Sequence, residues 1–252
     1  MKSFARCLAA TAVALALAGC AAVPEDPEDR AEFEAVNDPL EPTNRAIFEF
    51  NMALDRALLK PVAKGYREVM PDPAQRGVHN ALNNLRSPLI FVNDVLQGNP
   101  DRAAQTLTRF MFNSTVGIFG LFDVVADTNG PRYHGEDFGQ TFAAWGVGEG
   151  PYLMLPLLGP SNPRDAVGTG LEFFVDPTDR YLKRRDGAWT TWTRMGVTVV
   201  DERTQLLDPL DELERGSLDF YAALRSVYRQ RRANEITNKD VPLAEMLKAG
   251  AK

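Results

Sequence analysis

Cysteine and histidine are scarce in this chain of 252 residues, with two of each, and each scarcity closes off a class of chemistry. Both cysteines, Cys7 and Cys20, lie at the extreme N-terminus. If that segment is processed and Cys20 is modified, the exported protein holds no disulfide and no free thiol, and its fold rests on packing alone. Neither His79 nor His134 has a His or Cys at i+3 or i+4, so no metal-binding helix face is written into the chain. A P-loop, a dinucleotide fingerprint, an internal repeat and an apolar span of about 20 residues are all missing. Positive charge is in deficit, and a net charge of -6 makes the chain a poor general binder of nucleic acid. Strand alternation persists nowhere, which leaves an all-α fold as the reading.

What is present begins with a leader. Lys2 and Arg6 precede an apolar run from Leu8 to Ala18 that is too short to cross about 30 Å of hydrocarbon. The run ends in Leu17-Ala18-Gly19-Cys20, which resembles a bacterial lipobox. After cleavage Cys20 would carry a diacylglyceryl thioether and an N-acyl chain such as palmitate, because a thioether forms on a sulfur nucleophile. Such chains contribute about 0.8 kcal/mol per buried CH2 and make a stable anchor. Ala21 stands where an Asp would resemble an inner-membrane retention signal, so the expected location is the periplasmic leaflet of the outer membrane. Six carboxylates against Arg30 alone, with Pro24 and Pro27, mark residues 20–36 as a solvated acidic tether.

The central stretch is Asp137 to Asp165, DFGQTFAAWGVGEGPYLMLPLLGPSNPRD. Between Gly139 and Pro163 its only charge is Glu149, yet glycines and prolines forbid a regular helix. Irregular apolar backbone of this kind is either a buried, turn-rich connection or the lining of a cavity. A second uncharged stretch, Phe110 to Phe122, contains Gly117 and Gly120, which predict a helix end there. Broken apolar segments fit a domain that dips into one leaflet or encloses an apolar passage.

Around these stretches the periodicity is helical. A helix from about Pro42 to Lys60 places Ile47, Phe48, Phe50, Leu54 and Leu58 in an arc far wider than a surface helix needs, so it is either central to a core or partly in lipid. Asn51 and Asp55 sit inside that arc, bonded to nearby backbone or forming a polar track. Pro61 is expected to break the helix, Pro71 and Pro73 to start the next, and Ser87-Pro88 to cap another that stops at Gly98. Asn99-Pro100 restarts a helix with Ala103, Leu107 and Phe110 inward. Lys183, Arg184 and Arg185 form a basic knot near Trp189 and Trp192, suited to a headgroup boundary or a surface loop. Leu218, Tyr221, Leu224 and Tyr228 share a late helical face, followed by a weakly structured tail.

Catalytic constellations are thin. His134 with Glu136 and Asp137 is a weak metal candidate beside the simpler reading of a solvated loop. Ser161 sits in a glycine-proline turn that lacks the second glycine of a nucleophile elbow, and a triad with His134 and Asp137 would need geometry beyond sequence.

The lipobox, NDPLEPTNRAIFEFN, KPVAKGY, NLRSPLIFVNDVLQG, RFMFNSTVG, the whole glycine-proline stretch and SLDFYAALRSVYRQRR together resemble the MlaA/VacJ outer-membrane lipoproteins, over about Asn37 to Arg232. The resemblance implies a leader at 1–19, the tether at 20–36, a helical domain at 37–235 and a flexible tail at 236–252. It implies a ring-like domain embedded in one leaflet, with a central amphipathic channel that takes misplaced phospholipids to a periplasmic phospholipid carrier and maintains lipid asymmetry. It further implies a neighbouring trimeric porin, no catalysis and no cofactor beyond the lipid on Cys20. Candidate channel residues are Asn44, Phe48, Asn51 and Asp55 from the first helix. From the central stretch they are Phe138, Gly139, Trp145, Gly146, Gly148, Gly150 and Tyr152. Thr43 and Ala143-Ala144 depart from the usual residues of the family. The competing readings are a phospholipase using Ser161 and His134, and a non-transporting adaptor.

Overall fold

The computed structural model describes residues 36–239 together with 241 and 246. The leader, Cys20 and the tether up to residue 35 lie outside the described residues, as does most of the tail.

Helix α1, Glu41–Leu54, opens with Pro42 in its first turn and Glu41 at the positive end of the helix dipole. Pro61 does not break it. A π-helical turn, Asp55–Leu59, carries the chain directly into α2, Lys60–Val69, and the Lys60 amide donates to the Asp55 carbonyl five residues back. The widened turn relieves the carbonyl clash that a proline makes in a regular helix.

Helix α3, Asp72–Leu96, starts after Pro71 as expected, but Ser87-Pro88 does not begin a new helix. The chain runs through Pro88, and the Ser87 hydroxyl, expected to cap, instead donates back to the Asn83 carbonyl at 3.2 Å. Leu89, Ile90, Asn93 and Asp94 are all buried on the continuous helix, so tertiary packing outweighs one lost ladder bond. Gly98, at φ +73, ends it.

The Asn99 side chain caps α4, Pro100–Thr115. Ala103 is buried as expected, whereas Leu107 points outward. Beyond Thr115 the chain turns through Ile118 and Phe119, both at positive φ, into the short α5, Val124–Asp127. Asp137 caps α6, Phe138–Ala144. An antiparallel hairpin follows, β1 Leu153–Leu155 and β2 Gly159–Ser161, with Met154 opposite Pro160. It is the one departure from all-α structure among the described residues, and it is too short to have shown alternation.

The remaining helices are α7 Pro163–Val175, α8 Pro177–Asp186, α9 Trp189–Gln205, α10 Leu207–Gly216 and α11 Phe220–Ile236. Lys183, Arg184 and Arg185 occupy the last turn of α8, where cations suit the helix dipole. Leu218 lies ahead of α11 and is fully exposed, so it does not share the face of Tyr221 and Tyr228.

Contacts run in a closed circuit: α1 through the π turn to α2, then α9, α3, α6 and α11, and through the hairpin back to α1. The largest apolar cluster, Phe48, Tyr152, Met154 and Tyr221, sits where the circuit closes. Elsewhere the usual distribution is inverted. Asp94, Asn93, Glu136 and Thr141 are almost fully buried, while Phe119 and Phe174 are about four-fifths exposed (81% and 78%) and Phe112, Val116, Ile118, Trp189 and Trp192 are also exposed. Apolar exposure on this scale marks an interaction surface rather than an ordinary water-facing one. No helix among the described residues is long and apolar enough to cross a membrane.

Candidate functional site

Two asparagines of α1 hold the glycine-proline stretch in place. Asn44 donates to the Tyr152 carbonyl at 3.1 Å and accepts from the Met154 amide at 2.9 Å. Asn51 repeats the pattern one step along, donating to the Leu155 carbonyl and accepting from the Leu157 amide, both at 2.9 Å. Seven residues of helix rise about 10 Å, close to the span of three extended residues, so two amides on one helix face can act as a partner strand. Asp55 faces Arg203 instead, in a bidentate pair at 2.6 and 2.9 Å. Its polarity inside the apolar arc serves an ion pair between the π turn and α9.

Two half-open cavities of about 230 and 450 Å³ lie between the helices. Arg86, Thr169 and Glu172 line both, so these three side chains stand at the boundary between the two. Arg86 Nη2 and Glu172 Oε2 face each other at 3.7 Å, and burial pushes the Glu172 carboxyl above its usual range against the pull of Arg86. The larger cavity has Leu158, Pro160, Leu210, Leu213 and Leu224 on its walls, with Asp165, Arg231 and Arg232 among them. The smaller combines Leu82, Leu89 and Met195 with His79, Asp201 and Glu202. Both linings are amphipathic.

A charge network fixes the polar wall of the larger cavity. Arg232 of α11 binds Asp137 through two nitrogens at 2.7 and 3.1 Å and Asp165 at 2.8 Å. Asp165 also accepts from Tyr228 and Asn162, so α6, α7 and α11 are tied through the one guanidinium of Arg232, which holds Asp137 and Asp165 together. Burial alone would raise the Asp137 carboxyl, but the hydrogen bonds and charge of Arg232 hold it at about 2. Close helix packing beneath the network needs glycine: a Cβ on Gly168 would lie 2.5 Å from the Gly139 amide nitrogen.

Apart from Asn51 and Asp55, whose partners are given above, the expected channel residues fall into two groups. Asn44, Phe48, Phe138, Gly139 and Tyr152 are buried in the framework, and neither they nor the other expected channel residues are among those lining the two cavities. Trp145, Gly146, Gly148 and Gly150 lie on the exposed loop after α6, where Trp145 donates to the Leu96 carbonyl at 2.9 Å. Gly146 and Gly150 have positive φ, which a side chain would strain. Arg86, Thr169, Glu172 and Asp201 escaped notice because they sit singly on ordinary helices, outside any motif.

The proposed triad is not assembled. The Ser161 hydroxyl donates only to the carbonyl of Asn162, whereas His134 Nε2 faces Thr106 at 3.1 Å and Asp94 at 3.2 Å, and Asp137 is committed to Arg232. His134 and Glu136 do not lie in a solvated loop. With Asp94 they form a close cluster, but Arg102 and Gln97 take the two oxygens of Glu136, so a cation would have to displace existing partners.

A sequence profile of the family described as MlaA lipoprotein matches residues 36–235. The chain belongs to the MlaA lipoprotein family. Among curated relatives, the intermembrane phospholipid transport system lipoprotein MlaA of Escherichia coli strain K12 is 35% identical over 222 residues, covering 85% of this chain and 82% of the relative. The protein of the same name from Haemophilus influenzae is 32% identical, over 88% of this chain and 87% of the relative. An uncharacterized protein of Rickettsia bellii is 36% identical over 78% of this chain and 76% of its own length. A solved structure from work on the structural basis for maintenance of bacterial outer membrane lipid asymmetry superposes with TM-score 0.69 at 36% identity, covering 79% of this chain and 98% of that one. MlaA membership accords with the helical fold that superposes on that solved structure.

Proposed function

We propose that this protein is a phospholipid conduit of the outer membrane, anchored by a diacylglyceryl and N-acyl modified Cys20 in the periplasmic leaflet. Its domain lies in that leaflet with Phe112, Phe119 and Phe174 in hydrocarbon. Phospholipid misplaced in the outer leaflet enters the interior, passes between the two cavities and leaves to a periplasmic lipid carrier, with a trimeric porin as neighbour. The observation that carries this reading is the pair of amphipathic cavities sharing Arg86 and Glu172 in an outwardly apolar domain. Charged groups meet a headgroup and leucines meet acyl chains, so a lipid crosses without exposing either part to the wrong surroundings. Support also comes from relatives named for intermembrane phospholipid transport. No bond is made or broken, and direction comes from the acceptor that binds the lipid next.

Reconstitution in phospholipid vesicles with a lipid-free periplasmic acceptor tests the proposal. Intact phospholipid on the acceptor, dependent on this protein, is the expected product. Lysolipid and free fatty acid would make it an enzyme, and no transfer at all would leave only an adaptor.

A further inference from the structure

Two residues that line the smaller cavity each carry a buried polar atom without a partner, and the two atoms are of opposite charge, Asp201 Oδ1 and Arg86 Nε. Asp201 is 2% exposed, and its other oxygen lies 2.7 Å from His79 Nδ1. Arg86 reaches Glu172 only at 3.7 Å. His79 and Arg86 are seven residues apart on α3, two turns along one face, and both line this pocket together with Asp201 of α9. Arg194, another cation of that pocket, is occupied by Asp176 at 3.0 Å and Asp179 at 2.7 Å. Glu172, Asp201 and Glu202 leave the remaining lining acidic.

Leaving a buried carboxylate oxygen and a guanidinium N–H unpaired is costly, and one ligand that carries both a phosphate and an N–H-bearing cation would satisfy both. A glycerol headgroup offers no cation, and a quaternary ammonium has no N–H to donate. On the conduit reading, on which this rests, we infer that the smaller cavity selects phospholipids whose headgroup ends in a primary ammonium, with phosphate toward Arg86 and ammonium on Asp201. Selection happens inside the passage, where the headgroup is stripped of water and the acidic lining disfavours anionic lipids.

The test uses the purified full chain with vesicles of equal parts phosphatidylethanolamine, phosphatidylglycerol and phosphatidylcholine of the same acyl chains, reading protein-bound lipid by mass spectrometry. The ethanolamine lipid is expected to be enriched about threefold or more over each of the others, a ratio that one charge-assisted hydrogen bond supports after desolvation. In Asp201→Asn the bound mixture should return toward the vesicle composition. A wild-type mixture that already matches the vesicles, or an enrichment that survives in Asp201→Asn, overturns the inference while leaving the conduit standing. Absence of any bound lipid sinks both. Should Asp201→Asn misfold, the wild type decides with mono-, di- and trimethylated ethanolamine lipids: enrichment must decline and vanish at the trimethyl form, and a flat series contradicts the inference.

Discussion

Arg86 and Glu172 face each other at 3.7 Å, at the boundary between the two cavities, and each lines both. Thr169 lines both cavities and is exposed into them, one turn from Glu172 on α7. Filling that position should close the passage without disturbing the framework. Thr169→Trp is expected to lower lipid transfer to an acceptor at least about tenfold while the melting temperature stays within about 3 °C of the wild type. Normal transfer by a well-folded Thr169→Trp protein would place the route elsewhere.

The asparagine clamp predicts a graded loss of stability. Asn44 is buried and Asn51 is half-buried, yet each satisfies one carbonyl and one amide of the hairpin region. Removing either leaves backbone groups unpaired at a cost of about 1–3 kcal/mol, with the larger loss at the drier site. Denaturant titration of Asn44→Ala and Asn51→Ala in detergent reads the difference, and equal, negligible losses would contradict the clamp.

Acid should loosen the network around Arg232. The Asp137 carboxyl is held at about 2, below its ordinary 3.8, so its folded value is depressed and its contribution is present at neutral pH. That contribution, about 2 kcal/mol, declines as pH falls from near 4 to near 2. Thermal melts across this window should fall more steeply for the wild type than for Asp137→Asn, and parallel slopes would show that Asp137 does not supply the dependence.

Glycines of the family-like stretch should separate into structural and surface classes. A Cβ on Gly168 would meet the Gly139 backbone at 2.5 Å, whereas one on Gly148 meets nothing within 4 Å. Gly168→Ala is expected to destabilise the fold by about 2 kcal/mol or more, because two helix backbones must separate. Gly148→Leu, on the exposed loop and outside both cavity linings, should keep both protein abundance and lipid removal. Immunoblots paired with an outer-leaflet phospholipid assay distinguish the two, and matched loss of abundance and activity at Gly148 would assign it a structural role.

The exposed apolar surface predicts lipid partitioning even without the anchor proposed at Cys20. In a Cys20→Ser chain, Phe119→Asp should weaken vesicle binding by about tenfold, since a ring that is 81% exposed in the protein alone gains burial only in lipid. Flotation assays report the change, and unchanged binding would remove Phe119 from the membrane face.

Local punctuation was legible where one residue decides one conformation. Gly98, Asn99-Pro100 and the Gly117–Gly120 turn all read correctly, because left-handed backbone and side-chain caps are local matters. Pro61 and Pro88 misled for the opposite reason: a π turn and long-range packing override the local signal. The apolar arc of α1 with Asn51 inside it marked a special helix, but the hairpin it grips begins more than a hundred residues later and no spacing connects them. The junction of Arg86, Thr169 and Glu172 was invisible because a cavity is a product of the closed circuit rather than of any one segment.

The central claim is that phospholipid passes through the interior at Thr169, and a photoactivatable amino acid at that position tests it most directly. On illumination in intact cells, with the same probe at Phe119 reporting membrane lipid, the account predicts intact phospholipid crosslinked at both positions. Crosslinks at Phe119 with none at Thr169 would contradict it.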